Sequence, residues 1–273
     1  MKQPLLLPYA WLSLIWFSSC DEPYMKRPLA RAPDSLETGI NATQIARIHE
    51  KIGVESRSFS FAVTSDPHSD HEELRSMLDH IRSDSTLAFI LVCGDVTDKG
   101  DLKELQRYNT VMSAQELPYV TVIGNREHTG NGRPTFEGMF GGRNTQFVAG
   151  GVRYILFDDV VTESDLPIEF DWLRTTLAVP RDGPTIIATH VPPTDPSQLS
   201  PDHQGPLNKI FAEFKPEHIF MGHTHEYGEG AFPGGTPYTT VPWPKSGEYV
   251  KVSIDKGKLQ VDVLEFGTGA EDL

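Results

Sequence analysis

Residues 59–68, FSFAVTSDPH, carry a short apolar run straight into an Asp-x-His, and the pattern returns at 87–95, LAFILVCGD, and at 119–125, YVTVIGN. Runs of this length, rich in β-branched and aromatic residues and closed by turn residues, read as buried strands. Helical patterns lie between them, from Asp70 to Ile81 and from Asp101 to Gln115. Alternating β and α predicts an α/β sheet with right-handed crossovers. Asp66, Asp95 and Asn125 each stand just past one of three successive strands. Their side chains are expected to converge at the carboxyl edge of the sheet, where open α/β folds place ligands.

Upstream, Asn41 to Ile52 reads as a helix with Asn41 as its cap and Ile45, Ile48 and Ile52 on one face. Downstream the chain is richer in strands, expected at Thr145–Val148, Arg153–Phe157, Thr185–Ala188, His218–Met221, Tyr238–Val241, Tyr249–Ile254 and Leu259–Phe266. The last two form a hairpin across Asp255-Lys256-Gly257-Lys258. Helices are expected from Ile168 to Leu177 and from Leu207 to Phe214. About ten strands in one domain predict two packed sheets flanked by helices. With 38% hydrophobic and 23% charged residues, 273 residues bury one sizeable core.

The start of the chain has a different character. Lys2 precedes an apolar run from Leu5 to Phe17 that closes with Ser18-Ser19-Cys20. The run is shorter than the roughly 20 residues of a membrane span and reads as a signal peptide. Small residues before a Cys resemble the bacterial lipobox, with Phe17 where Leu is usual. Residues 1–19 are therefore expected to be a lipoprotein signal, Cys20 the lipidated residue, 20–40 a Pro-containing tether and 41–273 the folded domain. The expected location is the cell envelope, exported and facing away from the cytoplasm, with the membrane reached through the N-terminal lipid. Cys93, the other cysteine, falls in a buried strand. A net charge of −14 argues against a nucleic-acid duplex as partner and disfavours close contact with anionic lipid.

Two more strand-like runs end in histidines, Thr189-His190 and Gly222-His223-Thr224-His225. Carboxylate and amide oxygens mixed with imidazoles suit a pair of Mn, Fe or Zn ions. The ordered set DPH at 66, GDVTD at 94, GNRE at 124, THVPP at 189 and GHTH at 222 resembles the calcineurin-like metallophosphoesterase superfamily, over roughly residues 57 to 266. The resemblance implies a four-layer α/β/β/α sandwich and two divalent metal ions. One ion would be held by Asp66, His68, Asp95 and His225, the other by Asn125, His190, His223 and the shared Asp95. A carboxylate can bridge two cations and a neutral imidazole nitrogen cannot. Two cations about 3.5–4 Å apart acidify a bridging water and present it in line with phosphorus. The implied activity is hydrolysis of a phosphoester or phosphoanhydride on a small molecule or lipid headgroup.

One residue departs from the superfamily pattern. Where most members have a His after the Asn, this chain has Arg126. A guanidinium with a pKa above about 12 can clamp a phosphoryl oxygen but cannot donate a proton near neutral pH. In one case the leaving group needs no acid, as in a pyrophosphate or aryl phosphate. The Gly-Asn-Arg-acidic variant resembles the UDP-diacylglucosamine pyrophosphatase branch, although a lipoprotein signal is out of place for that branch. In the other, His128 or His203 supplies the proton. A catalytically degenerate metal-binding module of the cell envelope is the alternative to an enzyme. Asp98 is expected to accept a hydrogen bond beside the ligands or to cap a loop, and His49, His71, His80 and His218 carry no role. Phe232, Tyr238 and Trp243 are either a substrate wall or core.

Overall fold

The computed structural model describes residues 37–53 and 58–267. The first half folds as α1 (Ile40–Ile52), β1 (Ser58–Thr64), α2 (His71–Ser83), β2 (Leu87–Val92), α3 (Leu102–Ser113) and β3 (Tyr119–Thr121). There follow α4 (Asn125–His128), α5 (Gly132–Phe140), β4 (Thr145–Ala149), β5 (Val152–Leu156), α6 (Phe170–Ala178) and β6 (Thr185–Ala188). The chain closes through α7 (Pro201–Phe214), β7 (His218–Met221), β8 (Gly228–Ala231), β9 (Pro237–Thr240), β10 (Glu248–Asp255) and β11 (Lys258–Glu265).

One sheet has the order β11-β10-β1-β2-β3, the other β4-β5-β6-β7-β9-β8. In the first sheet β1, β2 and β3 are parallel, with β10 and β11 added antiparallel beside β1; in the second β5, β6, β7 and β9 are parallel and an antiparallel strand closes each edge. Three apolar layers hold them. Between the sheets, Phe61, Phe89, Val120, Tyr154, Ile186 and Phe220 are buried together. On the outer face of the first sheet, Leu74, Met77, Leu78 and Ile81 of α2 pack with Leu105 and Met112 of α3 and Phe136 of α5. Their spacing in α2 is one helical face. On the outer face of the second, Leu173 and Leu177 of α6 and Leu207 and Phe211 of α7 cover Ile187 and Ile219. The result is the four-layer α/β/β/α sandwich, built from two mixed sheets.

A bulge refines the inner layer. Ser60 pairs with Leu87 but Ala62 pairs with Ile90, so two residues of β1 face three of β2. Both Ala88 and Phe89 consequently turn toward the inter-sheet core. There Phe89 stacks on Phe61 at 4.7 Å and meets Tyr154 edge-on at 5.4 Å.

Several local expectations change. Asn41 lies inside α1, whose cap position is Gly39 in the left-handed region. Its amide instead donates to the Thr121 carbonyl and accepts from the Thr121 N–H, closing the free edge of β3. Helix α7 begins at Pro201, six residues before the expected start, and runs through Gly205 and Pro206. Helices α4 and α5 and strand β8 add to the expected elements; Gly132, Pro134 and Gly138 of α5 and the GEGA sequence of β8 read locally as loop. Residues 1–36, which include the signal, Cys20 and most of the tether, lie outside the described residues. Among the described residues no helix is long and apolar enough to cross a membrane.

The Tyr154 hydroxyl is buried between the sheets and has no hydrogen-bond partner among the described residues. An unpaired buried hydroxyl costs stability, so Tyr154→Phe should leave urea stability unchanged or raise it by about 1 kcal/mol. Phe89→Ala, which empties the same layer, should cost about 3–5 kcal/mol. A loss above about 1 kcal/mol for Tyr154→Phe would show that the hydroxyl has a partner.

Candidate metal centre

The seven candidate ligands stand where strands β1, β2, β3, β6 and β7 give way to loops, at one edge of the sandwich. Among the described residues seven non-glycine residues have positive φ, and five of them are Asp66 (53°), His68 (47°), Asp95 (51°), His223 (71°) and His225 (62°). Each left-handed residue costs roughly 1–2 kcal/mol. Main-chain bonds hold the geometry: Asp66 N–H donates to the Gly94 carbonyl and His68 N–H to the Asp95 carbonyl, both at 3.0 Å. His223 N–H donates to Asp66 Oδ2 at 2.8 Å. The loops approach so closely that a side chain at Gly222 would place its Cβ 1.8 Å from Ser65 Oγ, and one at Gly124 2.2 Å from Asp95 N. Glycine before the ligand is a packing requirement.

Ligand atoms of Asp66, His68 and His225 lie within 4.8 Å of one another, as do those of Asp95, His190 and His223. The Asn125 amide oxygen sits 2.9 Å from His190 Nε2 and 3.1 Å from His223 Nδ1, its amide nitrogen donating to Glu163. His190 Nε2 is 3.3 Å from Asp95 Oδ1 and 4.0 Å from Asp66 Oδ1, which joins the two triads. His225 Nε2 is 3.4 Å from Asp66 Oδ1 and 3.3 Å from His68 Nε2. The structure thus brings all seven together.

The donor set fits cations. The Cys93 carbonyl accepts from His190 Nδ1 at 2.7 Å, which leaves the Nε2 lone pair aimed at the oxygens of Asp95 and Asn125. The Thr97 carbonyl, 3.2 Å from His68 Nδ1, fixes that ring the same way. Among the described residues buried Asp66 Oδ1 has no hydrogen-bond partner. Lone pairs facing lone pairs need positive charge between them. The charge imbalance shows at His190: burial disfavours its protonation, yet Asp95 and then Asp66 raise its pKa to about 10.

Carboxylates behind the ligands brace the loops. Glu127 is fully buried and accepts from Thr97 N, Thr97 Oγ1 and Gly124 N at 2.9, 2.6 and 2.9 Å, tying the Asp95 loop to the Asn125 loop. Burial, and then the charge of Asp95, push its pKa up to about 7. Asp159 accepts from the backbone of His190 and Val191. Sequence reasoning passed over Asp159, although it follows an apolar strand just as Asp66 and Asp95 do. Glu127 was visible only as the acidic residue after Arg126.

The remaining candidates separate. Arg126, its side chain 48% exposed, lines an open cleft of about 520 Å³ with Asp66, His68, Asp98 and His225. Its backbone N–H donates to Asp95 Oδ1 at 2.8 Å and its Nε lies 3.7 Å from Asp95 Oδ2. Asp98 approaches His68 Nδ1 at 3.5 Å. His128 is elsewhere: its side chain is 1% exposed, 3.2 Å from Asp158, which Arg143 also pairs. His203 sits in the first turn of α7 against Ser200 and does not line the cleft. Trp243 forms a cleft wall, stacked on His225 at 4.2 Å, whereas Phe232 and Tyr238 pack against the core under α7.

Known proteins bear on this geometry. The fold is similar to a dimetal phosphatase of Danio rerio (TM-score 0.64, 13% identity, covering 77% of this chain and 96% of that one). It is similar to the purple acid phosphatase PPD1 of yellow lupin (TM-score 0.62, 12% identity, 78% of this chain), of which this chain spans about half, 52%. GAP50, the anchor in the inner membrane complex of Plasmodium, is also similar (TM-score 0.62, 13% identity, 78% and 86% covered). At these identities the likeness establishes the fold. Among curated protein sequences none matches. The sequence profile of the calcineurin-like phosphoesterases matches residues 59–227, the span that runs from β1 through the last histidine of the metal centre. The chain therefore belongs to the calcineurin-like phosphoesterase family, and its dinuclear centre is that of a metal-dependent phosphoesterase.

Proposed function

We propose that the protein hydrolyses phosphoesters or phosphoanhydrides whose leaving groups are already weak bases, with Arg126 holding a phosphoryl oxygen in place of the family's usual histidine. The observation that carries this reading is the composition of the cleft. Its imidazoles are His68 and His225, both candidate metal ligands; of its two cations Arg126 stands beside Asp95, and Lys245 faces Asp70 and Trp243. His128 is committed to buried Asp158, and His203 is held by Ser200 away from the cleft. A guanidinium keeps its proton and supplies charge and hydrogen bonds.

Asp66, His68 and His225 would hold one ion and Asn125, His190 and His223 the other, with Asp95 shared. The two cations supply an acidified water and neutralise charge on the phosphoryl oxygens. Asp95 is suited to the shared position because its carboxylate has two oxygens, one of them fixed by Arg126 N–H. That bond also couples the placement of Arg126 to the ligand it stands beside. A binding module has no need of a complete donor set opening on a cleft, which favours an enzyme over the degenerate alternative. Suitable substrates are aryl phosphates, pyrophosphates and comparable small phosphorylated molecules or lipid headgroups.

We also propose export and anchoring through Cys20, on the strength of the apolar run and the Ser18-Ser19-Cys20 ending. Cys20→Ala protein should leave the membrane fraction or accumulate unprocessed. Wild-type protein that mass spectrometry shows to be cleaved and free of acyl chain would overturn the anchor.

Metal-supplemented protein should contain two divalent ions per chain by elemental analysis. Asp95→Asn should leave less than about a tenth of the wild-type rate, more than about 1.4 kcal/mol of barrier. A higher residual rate would remove Asp95 from the shared position. With no imidazole acid in the cleft, rates should fall steeply as leaving-group pKa rises. Arg126→His should raise alkyl-ester turnover by about 10- to 100-fold while weakening phosphate affinity. A shallow dependence in the wild type, lost in His128→Ala or His203→Ala, would identify a displaced acid instead.

A further inference from the structure

A second charged site lies at the opposite edge of the sandwich. Arg153 is near the start of β5, paired across the sheet with Thr185, the first residue of β6, whereas His190 and Asp159 lie past the far ends of those strands. Arg153 is only 6% exposed. Its Nε donates to Thr185 Oγ1 at 3.1 Å, and its Nη1 to the carbonyls of Thr176 and Val179 at 2.8 and 3.2 Å. The latter bonds close the C-terminus of α6, and with the Nε bond they occupy Nε and Nη1. Its Nη2 has no partner among the described residues.

None of these acceptors carries a charge. Buried arginines are normally paired with an acid, because an unpaired buried charge is costly. Here the neighbouring Arg181 adds charge of the same sign: burial and then Arg181 lower the Arg153 pKa, the reverse of a carboxylate's effect. Arg153, Arg181 and Lys215 line one open pocket of about 480 Å³. Among the described residues no carboxylate lies within ion-pair distance of any of the three, including Glu217 of the same lining. Leu177, Val179, Pro180, Pro184 and Phe214 give the wall an apolar side, with Val179 54% exposed, and Thr185 and Glu217 add polar groups to it.

We propose that this pocket is a second anion site, which takes a dianionic phosphate group between Arg153 Nη2 and the side chains of Arg181 and Lys215. Three cations exceed what a carboxylate neutralises and suit a phosphate dianion. The apolar wall has room for a carrier, so the phosphate is either free or borne on a lipid headgroup.

The test is calorimetric titration of the metal-loaded protein with inorganic phosphate. Wild type should show two classes of site. Arg181→Ala combined with Lys215→Asn should weaken one class by at least about 10-fold and leave hydrolysis of an aryl phosphate unchanged. Asparagine is chosen because Lys215 has φ 46°, which it tolerates. Asp95→Asn should remove the other class and retain the pocket. If the double variant binds phosphate as wild type does, or Asp95→Asn binds none, the pocket is not an anion site. On the Cys20→Ala background, co-sedimentation with phosphatidic acid vesicles that phosphate displaces would place the anion on a lipid. No sedimentation alongside intact phosphate binding would identify free phosphate, and sedimentation with no phosphate site would overturn the pocket.

Discussion

The constraint on which the metal centre depends is electrostatic. Five loops bring the carboxylates of Asp66 and Asp95, the amide oxygen of Asn125 and four imidazoles to one edge, with their lone pairs directed at one another. Such an arrangement is unfavourable without cations, and the strong upward pull of Asp95 and Asp66 on the His190 pKa is its signature. The local backbone is built to hold it. Left-handed residues concentrate at the ligands, and the glycines beside them exist because the loops touch.

The sandwich supplies the rigidity this requires. Two sheets share one aromatic inner layer, and each outer face is sealed by helices, so the strand ends that carry ligands are fixed from both sides. Buried carboxylates extend the rigidity into the loops. Glu127 binds the Asp95 loop to the Asn125 loop, and Asp159 caps the segment that carries His190. Arg126 is positioned by the same device, its main chain bonded to Asp95 while its side chain reaches the cleft. Arg126 therefore takes its place beside the candidate ligands without requiring a different scaffold.

How much of this is legible in the sequence follows from how local each determinant is. Strands β1, β2 and β3 and the ligand loops after them declare themselves, since an apolar run and a turn are contiguous features. Helix α5 and strand β8 do not, because glycine and proline suppress their local signal and burial of Phe136 and pairing with β9 supply what the sequence lacks. Asn41 looks like a helix cap, and only the neighbouring free edge of β3 shows what its amide bonds. Trp243 and Phe232 come from one aromatic segment with two fates, one against His225 and one under α7, which tertiary packing alone decides. The bracing roles of Glu127 and Asp159 are likewise invisible, because each depends on a loop from elsewhere in the chain.

The most direct test of the central claim is anomalous diffraction at the metal absorption edge from crystals of Mn- or Zn-loaded protein. Two anomalous peaks about 3.5–4 Å apart, with the Asp95 carboxylate between them, are the predicted result. A single peak, or two peaks with Asp95 bound to neither, would contradict it.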